Sequence, residues 1–194
     1  MKQGEETKNY LIAVGKDLIA HKGFTAVGLN EILTTANVPK GSFYHYFSSK
    51  EVFGLAILEA YFTQYLEELK QLFNTSESFE YKVLTYWQQW QEREIAQQGC
   101  LIVKLSAEIS DLSEVMRASM QRGLEAISEF FWQQIKLAQA QGELSSQVEA
   151  EELTAFLFQN WLGACLSYKI NRPLTRCFTL ATQHTQKLLE LYKI

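Results

Sequence analysis

The chain has 194 residues, of which 47% are hydrophobic and 21% charged, enough apolar matter for a sizeable core and too little charge for long disordered tracts. Two prolines and ten glycines are too few breakers for many short strands, so one or two domains built mainly from helices are expected. The net charge of −4 argues against nucleic acid for the chain as a whole, but residues 1–50 hold six lysines against four acids, net +2, which leaves −6 for the rest and suits phosphate contact at one end only.

Several classes are set aside at once. No apolar run approaches the roughly 18 residues of a membrane span. The polar stretch from Met1 to Tyr10 has no secretory core, so the expected compartment is the cytoplasm and no membrane partner is expected. Cys100, Cys165 and Cys177 are odd in number and widely spaced, which suggests neither a disulfide framework nor a zinc site. His21, His45 and His184 match no metal spacing, and no cofactor is expected. There is no GxSxG, P-loop or paired-carboxylate motif, so an enzyme is not expected. Glu108, Asp111 and Glu114 read as caps and a solvated face.

In chain order, Tyr10, Leu11, Val14, Leu18 and Ile19 recur at helical spacing and predict an amphipathic helix from about Thr7 to His21, stopped by Lys22-Gly23. A second, short helix fits Leu29–Ala36 with Gly28 as its N-cap. Asn37-Val38 is a turn. Pro39 suits the first position of a third helix, where no amide hydrogen is needed, and Lys40 to Phe47 follow with Phe43 and Phe47 facing inward. Ser48-Ser49-Lys50-Glu51 matches a capping box, with Ser48 as cap, Glu51 reaching back, and Phe47 and Val52 as staple. A long helix to about Phe73 follows. Further helices are expected near 79–97, 100–111, 113–141, 149–170 and 174–192, broken at Gly99, Asp111, Gly142 and Asn171-Arg172-Pro173. Nothing alternates with period two. The expected architecture is all-α, about nine helices, with a three-helix helix-turn-helix domain at 1–50 and a larger helical sensing and dimerisation domain at 51–194.

Two short helices joined by a tight turn form a helix-turn-helix. The outward face of the second offers Lys40, Ser42, Tyr44, His45 and Tyr46, whose ammonium, hydroxyl and imidazole groups are those that meet phosphate oxygens and base edges. Gly41 lets backbone approach a groove. Lys50, in the first turn of the next helix, can reach a phosphate, and that helix start offers amide hydrogens to an anion.

Gly23-Phe24, Asn30-Glu31-Ile32 and the run Val38-Pro39-Lys40-Gly41-Ser42-Phe43-Tyr44-His45-Tyr46-Phe47-Ser48-Ser49-Lys50-Glu51 resemble the DNA-binding domain of the tetracycline-repressor (TetR) family. One departure is Val27-Gly28, where the family often has Thr-Ser, which removes a cap hydroxyl from the second helix. The resemblance implies a dimer on double-stranded DNA, with Ser42, Tyr44, His45, Tyr46 and Lys50 at the DNA and a C-terminal region that binds an inducer. Two recognition helices about one DNA turn (~34 Å) apart then call for a roughly palindromic operator.

Gly99 to Glu108, continuing into Asp111-Leu112-Ser113-Glu114, together with Trp161-Leu162-Gly163-Ala164 and Lys169-Ile170, resembles the electrophile-sensing branch of that family, which includes the N-ethylmaleimide-reductase repressor and acrylate-responsive regulators. In that branch the cysteine matching Cys100 is linked to sensing electrophiles or oxidants. The residues are compatible with this. Cys100 stands at a helix start, where amides and the dipole favour a thiolate, and Lys104 lies one turn on. Lys169 is a second candidate partner.

Trp87, Trp90, Trp132 and Trp161 are candidates to line an apolar ligand pocket, with core packing as the plainer alternative. The two C-terminal helices carry Leu153, Phe156, Leu157, Trp161, Ala164, Tyr168, Phe178, Ala181, Leu188 and Tyr192, a set that suits a four-helix homodimer interface or burial within the monomer. Three readings remain: a repressor released by modification of Cys100, a repressor released by a reversible small apolar ligand, and a helical carrier or interaction module that does not bind DNA.

Overall fold

The computed structural model describes residues 2–96 and 100–194. Among them are nine helices and no strand: α1 (Lys2–Lys22), α2 (Leu29–Ala36), α3 (Lys40–Tyr46), α4 (Lys50–Phe73), α5 (Phe79–Ile95), α6 (Leu101–Leu112), α7 (Glu114–Ala140), α8 (Ala150–Asn171) and α9 (Arg176–Leu191). The all-α expectation holds, and the extended pairing seen among these residues is an isolated antiparallel bridge between Leu144 and Lys193. No helix among the described residues is long and apolar enough to cross a membrane. The residues fall into two compact units, Met1–Tyr65 with Ala96–Gly123, and Leu66–Ile95 with Leu124–Ile194. The expected break at Gly99 lies outside the described residues.

In the first unit α1 starts at Lys2 rather than near Thr7, because its first turns are held by backbone bonds and need no apolar face. It ends at Gly23, whose φ of +92° is the left-handed conformation that glycine adopts without strain, and whose amide reaches the Ile19 carbonyl at 2.8 Å. Gly28 caps α2 without a side-chain bond, and Asn37, at φ 51°, closes it. Pro39 is the N-cap of α3 rather than its first helical residue. Either position tolerates the missing amide hydrogen.

Two caps differ from expectation. Ser49, not Ser48, caps α4: the Val52 amide donates to Ser49 Oγ at 3.1 Å. Glu51 does not reach back, because its carboxylate accepts the Ser113 hydroxyl instead. The break between α6 and α7 falls at Ser113, not Asp111. Ser113 is the C-cap of α6 (φ −154°, ψ 111°), and its Oγ accepts the Met116 amide at 3.2 Å at the start of α7. A capping box can be written on Ser48 from spacing alone, but a nearby serine one residue on and a distant hydroxyl partner for Glu51 win in the folded chain.

In the second unit α8 is apolar on two sides. Leu153, Leu157, Trp161, Ala164 and Tyr168 recur at intervals of three and four and are buried. Phe156, Leu166 and Ile170 point outward, the last 75% exposed. Of the residues expected to serve the dimer, Leu153, Leu157, Trp161, Ala164, Tyr168, Phe178 and Ala181 are therefore spent on the monomer's own core.

Replacing Ser49 by Ala should lower the stability of the full-length protein by about 0.5–2 kcal/mol. Ser48→Ala should stay within about 0.5 kcal/mol of wild type, as expected for an exposed surface site. Urea midpoints at one fixed protein concentration check both; the reverse ranking would restore Ser48 as the cap.

Candidate DNA-binding and sensor sites

α3 has only seven residues, too few to be stable alone. It is held by a cluster of three rings: Phe43–Phe47 centroids are 5.3 Å apart, Phe43–Phe53 5.2 Å and Phe47–Phe53 4.8 Å. All three side chains are buried. Anchoring one face of α3 this way turns the other outward. Lys40, Gly41, Tyr44 and His45 are exposed, and Ser42 and Tyr46 are half-buried. The Lys40 ammonium lies 5.9 Å from the Tyr44 ring centroid, and His45 and Tyr46 meet edge to face at 4.9 Å. A methyl group built on Gly41 would meet nothing within 4 Å, so this stretch of helix offers bare backbone. Lys8 of α1, which no sequence signal singled out, brings its ammonium to 6.0 Å from the Phe47 ring.

Lys50 is placed differently from the others. Its ammonium donates to the Phe24 carbonyl at 2.6 Å and lies 4.5 Å from the centre of the Phe24 ring. Burial lowers its pKa, and the Glu108 carboxylate partly offsets this. Glu108, half-buried, has a specific partner besides solvent. Its Oε2 accepts the backbone amide of Thr25 at 2.9 Å, in the turn between α1 and α2. Sequence reasoning missed this role because the partner is a main-chain amide 83 residues away. Glu114, by contrast, keeps to its own helix and pairs with exposed Arg117.

Cys100 is the N-cap residue of α6 (φ −79°, ψ 113°), 5% exposed, and its carbonyl accepts the Lys104 amide at 2.9 Å. Lys104 is half-buried in the first turn of α6. Lys169 is half-buried on α8, in the second compact unit. None of the three cysteines is in a disulfide.

The tryptophans divide. Trp87 and Trp161 stack at 4.2 Å with their planes 6° apart, and Trp90 stacks on Trp87 at 5.3 Å. Tyr86, Phe131 and Phe178 close round them. Trp132 is not part of this cluster; it is 39% exposed. Its neighbour Phe131 takes the inward position, since consecutive residues on a helix point about 100° apart. The Trp161 indole donates to Thr185 Oγ1 at 3.3 Å, as does the Asn160 amide at 3.2 Å. The Trp87 indole N–H, equally buried, has no acceptor among the described residues.

Residues 11–57 match the family "Bacterial regulatory proteins, tetR family", and residues 81–183 match "Tetracyclin repressor-like, C-terminal domain". The chain belongs to the TetR family of transcriptional regulators, which bind DNA operators and act as dimers. It is a DNA-binding repressor similar to the transcriptional repressor NemR of Escherichia coli K12, with 41% identity over 173 residues, 86% of each chain. It is 37% identical to the transcriptional regulator AcuR of Cereibacter sphaeroides over 84% of this chain and 77% of that one. The crystal structure of the reduced form of E. coli NemR superposes with a TM-score of 0.88 at 38% identity, over 94% of this chain and 96% of that one. Membership of a family of regulators sets the carrier alternative aside.

Thr185 is fully buried and serves two donors at once. Thr185→Val keeps the shape and leaves both without that oxygen, so it should cost about 1–3 kcal/mol. A shifted urea midpoint with an unchanged slope is the expected signature.

Proposed function

We propose that this protein represses transcription as a dimer on a roughly palindromic double-stranded operator, and is released when a reactive electrophile or oxidant modifies Cys100. In this reading residues 1–50 bind DNA and residues 51–194 sense and dimerise. Lys40, Gly41, Ser42, Tyr44, His45 and Tyr46 meet the operator, and Lys50 stands at its edge. The exposed faces of α3 support that assignment. The outward apolar residues Phe156, Leu166, Ile170 and Leu180 on α8 and α9 support pairing through the two C-terminal helices.

The observation that carries the sensing half is the placement of Cys100. It is the N-cap of α6, in the same compact unit as α1–α3, and almost enclosed. Adding a group to a packed side chain displaces its neighbours. With N-ethylmaleimide the thiolate adds across the activated double bond, a C–S bond forms, and the adjacent carbon takes a proton. With hypochlorite it becomes a sulfenic acid as chloride leaves. An amine such as that of Lys104 then displaces water to form an S–N bond. Modification shifts the population toward a state whose recognition helices no longer fit successive grooves.

The Trp87 indole favours a second reading. A buried donor with no acceptor suits a reversible small apolar ligand that brings one hydrogen-bond acceptor to the cluster of Trp87, Trp90 and Trp161.

Binding to the DNA upstream of the protein's own gene, with and without N-ethylmaleimide or hypochlorite, separates the two. Wild type should be released and Cys100→Ser should stay bound; equal release of both would sink thiol sensing. Gly41→Ala gives an independent check on the DNA face. The new methyl group has open space, so stability should hold or rise by up to about 1 kcal/mol. Operator binding should weaken by roughly 1–3 kcal/mol, the worth of one good base contact. Unchanged affinity would remove α3's backbone from the interface.

A further inference from the structure

The C-terminal half of α6 is fastened to the DNA-binding helices at two places. Glu108 accepts the Thr25 amide in the α1–α2 turn. Just beyond the helix end, Ser113 donates to Glu51 in the first turn of α4. The same first turn is fastened to the same α1–α2 turn, because Lys50 donates to the Phe24 carbonyl. The result is a closed ring of polar contacts: α6, the turn at 23–25, the start of α4, and the α6–α7 junction. Gly23 belongs to it for a steric reason, since a Cβ there would collide with the Glu108 carboxylate.

The backbone of the α1–α2 turn has few ways to be held. It lies outside both helices, Gly23 is in the left-handed region, and Phe24 is buried. A charged acceptor on a backbone amide is among the stronger hydrogen bonds available to it. The acceptor stands on a helix that makes no part of the helix-turn-helix. Its position therefore fixes the turn from which α2 and α3 follow.

We propose that Glu108 is a positioning residue for operator binding: its bond to the Thr25 amide ties the α1–α2 turn to α6, and operator affinity depends on that tie. Glu108 touches no DNA in this role. Cys100 sits at the opposite end of α6, eight residues or about 12 Å away at helical rise. If Cys100 is the sensor proposed above, the tie is the link by which its modification reaches the DNA-binding helices. The tie itself does not rest on that reading.

The test uses the full-length protein, DNA from upstream of its own gene, and the variants Glu108→Ala and Glu108→Gln. Hydrogen exchange at the Thr25 amide should quicken at least about tenfold in Glu108→Ala, and operator affinity should fall about tenfold, the loss of one charge-assisted bond. The slope of log affinity against log salt should not change, since no phosphate contact is lost. Glu108→Gln keeps an acceptor oxygen and should recover most of both effects, which a general loss of folding would not allow. Circular dichroism melts confirm that each variant is folded. Affinity that stays the same or rises in a folded Glu108→Ala protein overturns the proposal. So does a loss that the Gln variant shares in full while its Thr25 exchange stays slow. Adding N-ethylmaleimide tests the link to Cys100. Once the tie is gone, alkylated Glu108→Ala should lose less than about twofold further, because two ways of breaking one contact are not additive. If wild type itself is not released by the reagent, the reading of Cys100 fails and the affinity and exchange results still decide the role of Glu108.

Discussion

A helix as short as α3, at seven residues, cannot hold itself in water, since nucleation costs more than so few backbone bonds return. Its shape and its aim both come from the packing of Phe43 and Phe47 onto Phe53 at the start of α4. The outward face of α3 follows from that contact. With two inward rings spaced one turn apart, Lys40, Gly41, Tyr44 and His45 have nowhere to point but outward. A dimer then needs only to set the spacing of two such helices.

The polar contacts around this aromatic nucleus have a different task. Ser49 starts α4, Ser113 joins α6 to α7, and Glu51 and Glu108 carry bonds between segments far apart in the chain. Lys50 belongs to this group in the structure, held on Phe24 by its carbonyl and its ring. Such bonds are directional where apolar packing is not. They fix how helices are set, while the rings supply cohesion. This division is the physical basis for assigning coupling to Glu108 and anchoring to the phenylalanines.

The second unit shows the same economy in its aromatics. Trp87, Trp90 and Trp161 pack as a stack, and one indole, that of Trp161, is satisfied by Thr185. Trp87 is the exception. Buried donors are nearly always paired, so this one marks the place in the unit where an acceptor from outside would be most welcome. α8, meanwhile, faces its own core with one row of apolar residues and leaves Phe156, Leu166 and Ile170 on the other.

Much of this was legible from the residues alone. Periodicity predicted the helices, since a spacing of three and four depends only on the helix itself. Gly23, Asn37 and Pro39 ended or began elements as local backbone preference requires. Phe43 and Phe47 declared the inward face of α3, and so its outward face. What the tertiary structure alone decided were choices between neighbours and pairings between distant residues. Ser49 rather than Ser48 became the cap of α4, and Phe131 rather than Trp132 turned into the aromatic cluster. Glu51 went to Ser113, and Glu108 to the Thr25 amide. The physical reason is one of range. Capping, periodicity and turn preference act over a few residues and are written locally, whereas a carboxylate 83 residues from its amide partner finds it only once the helices between them have packed.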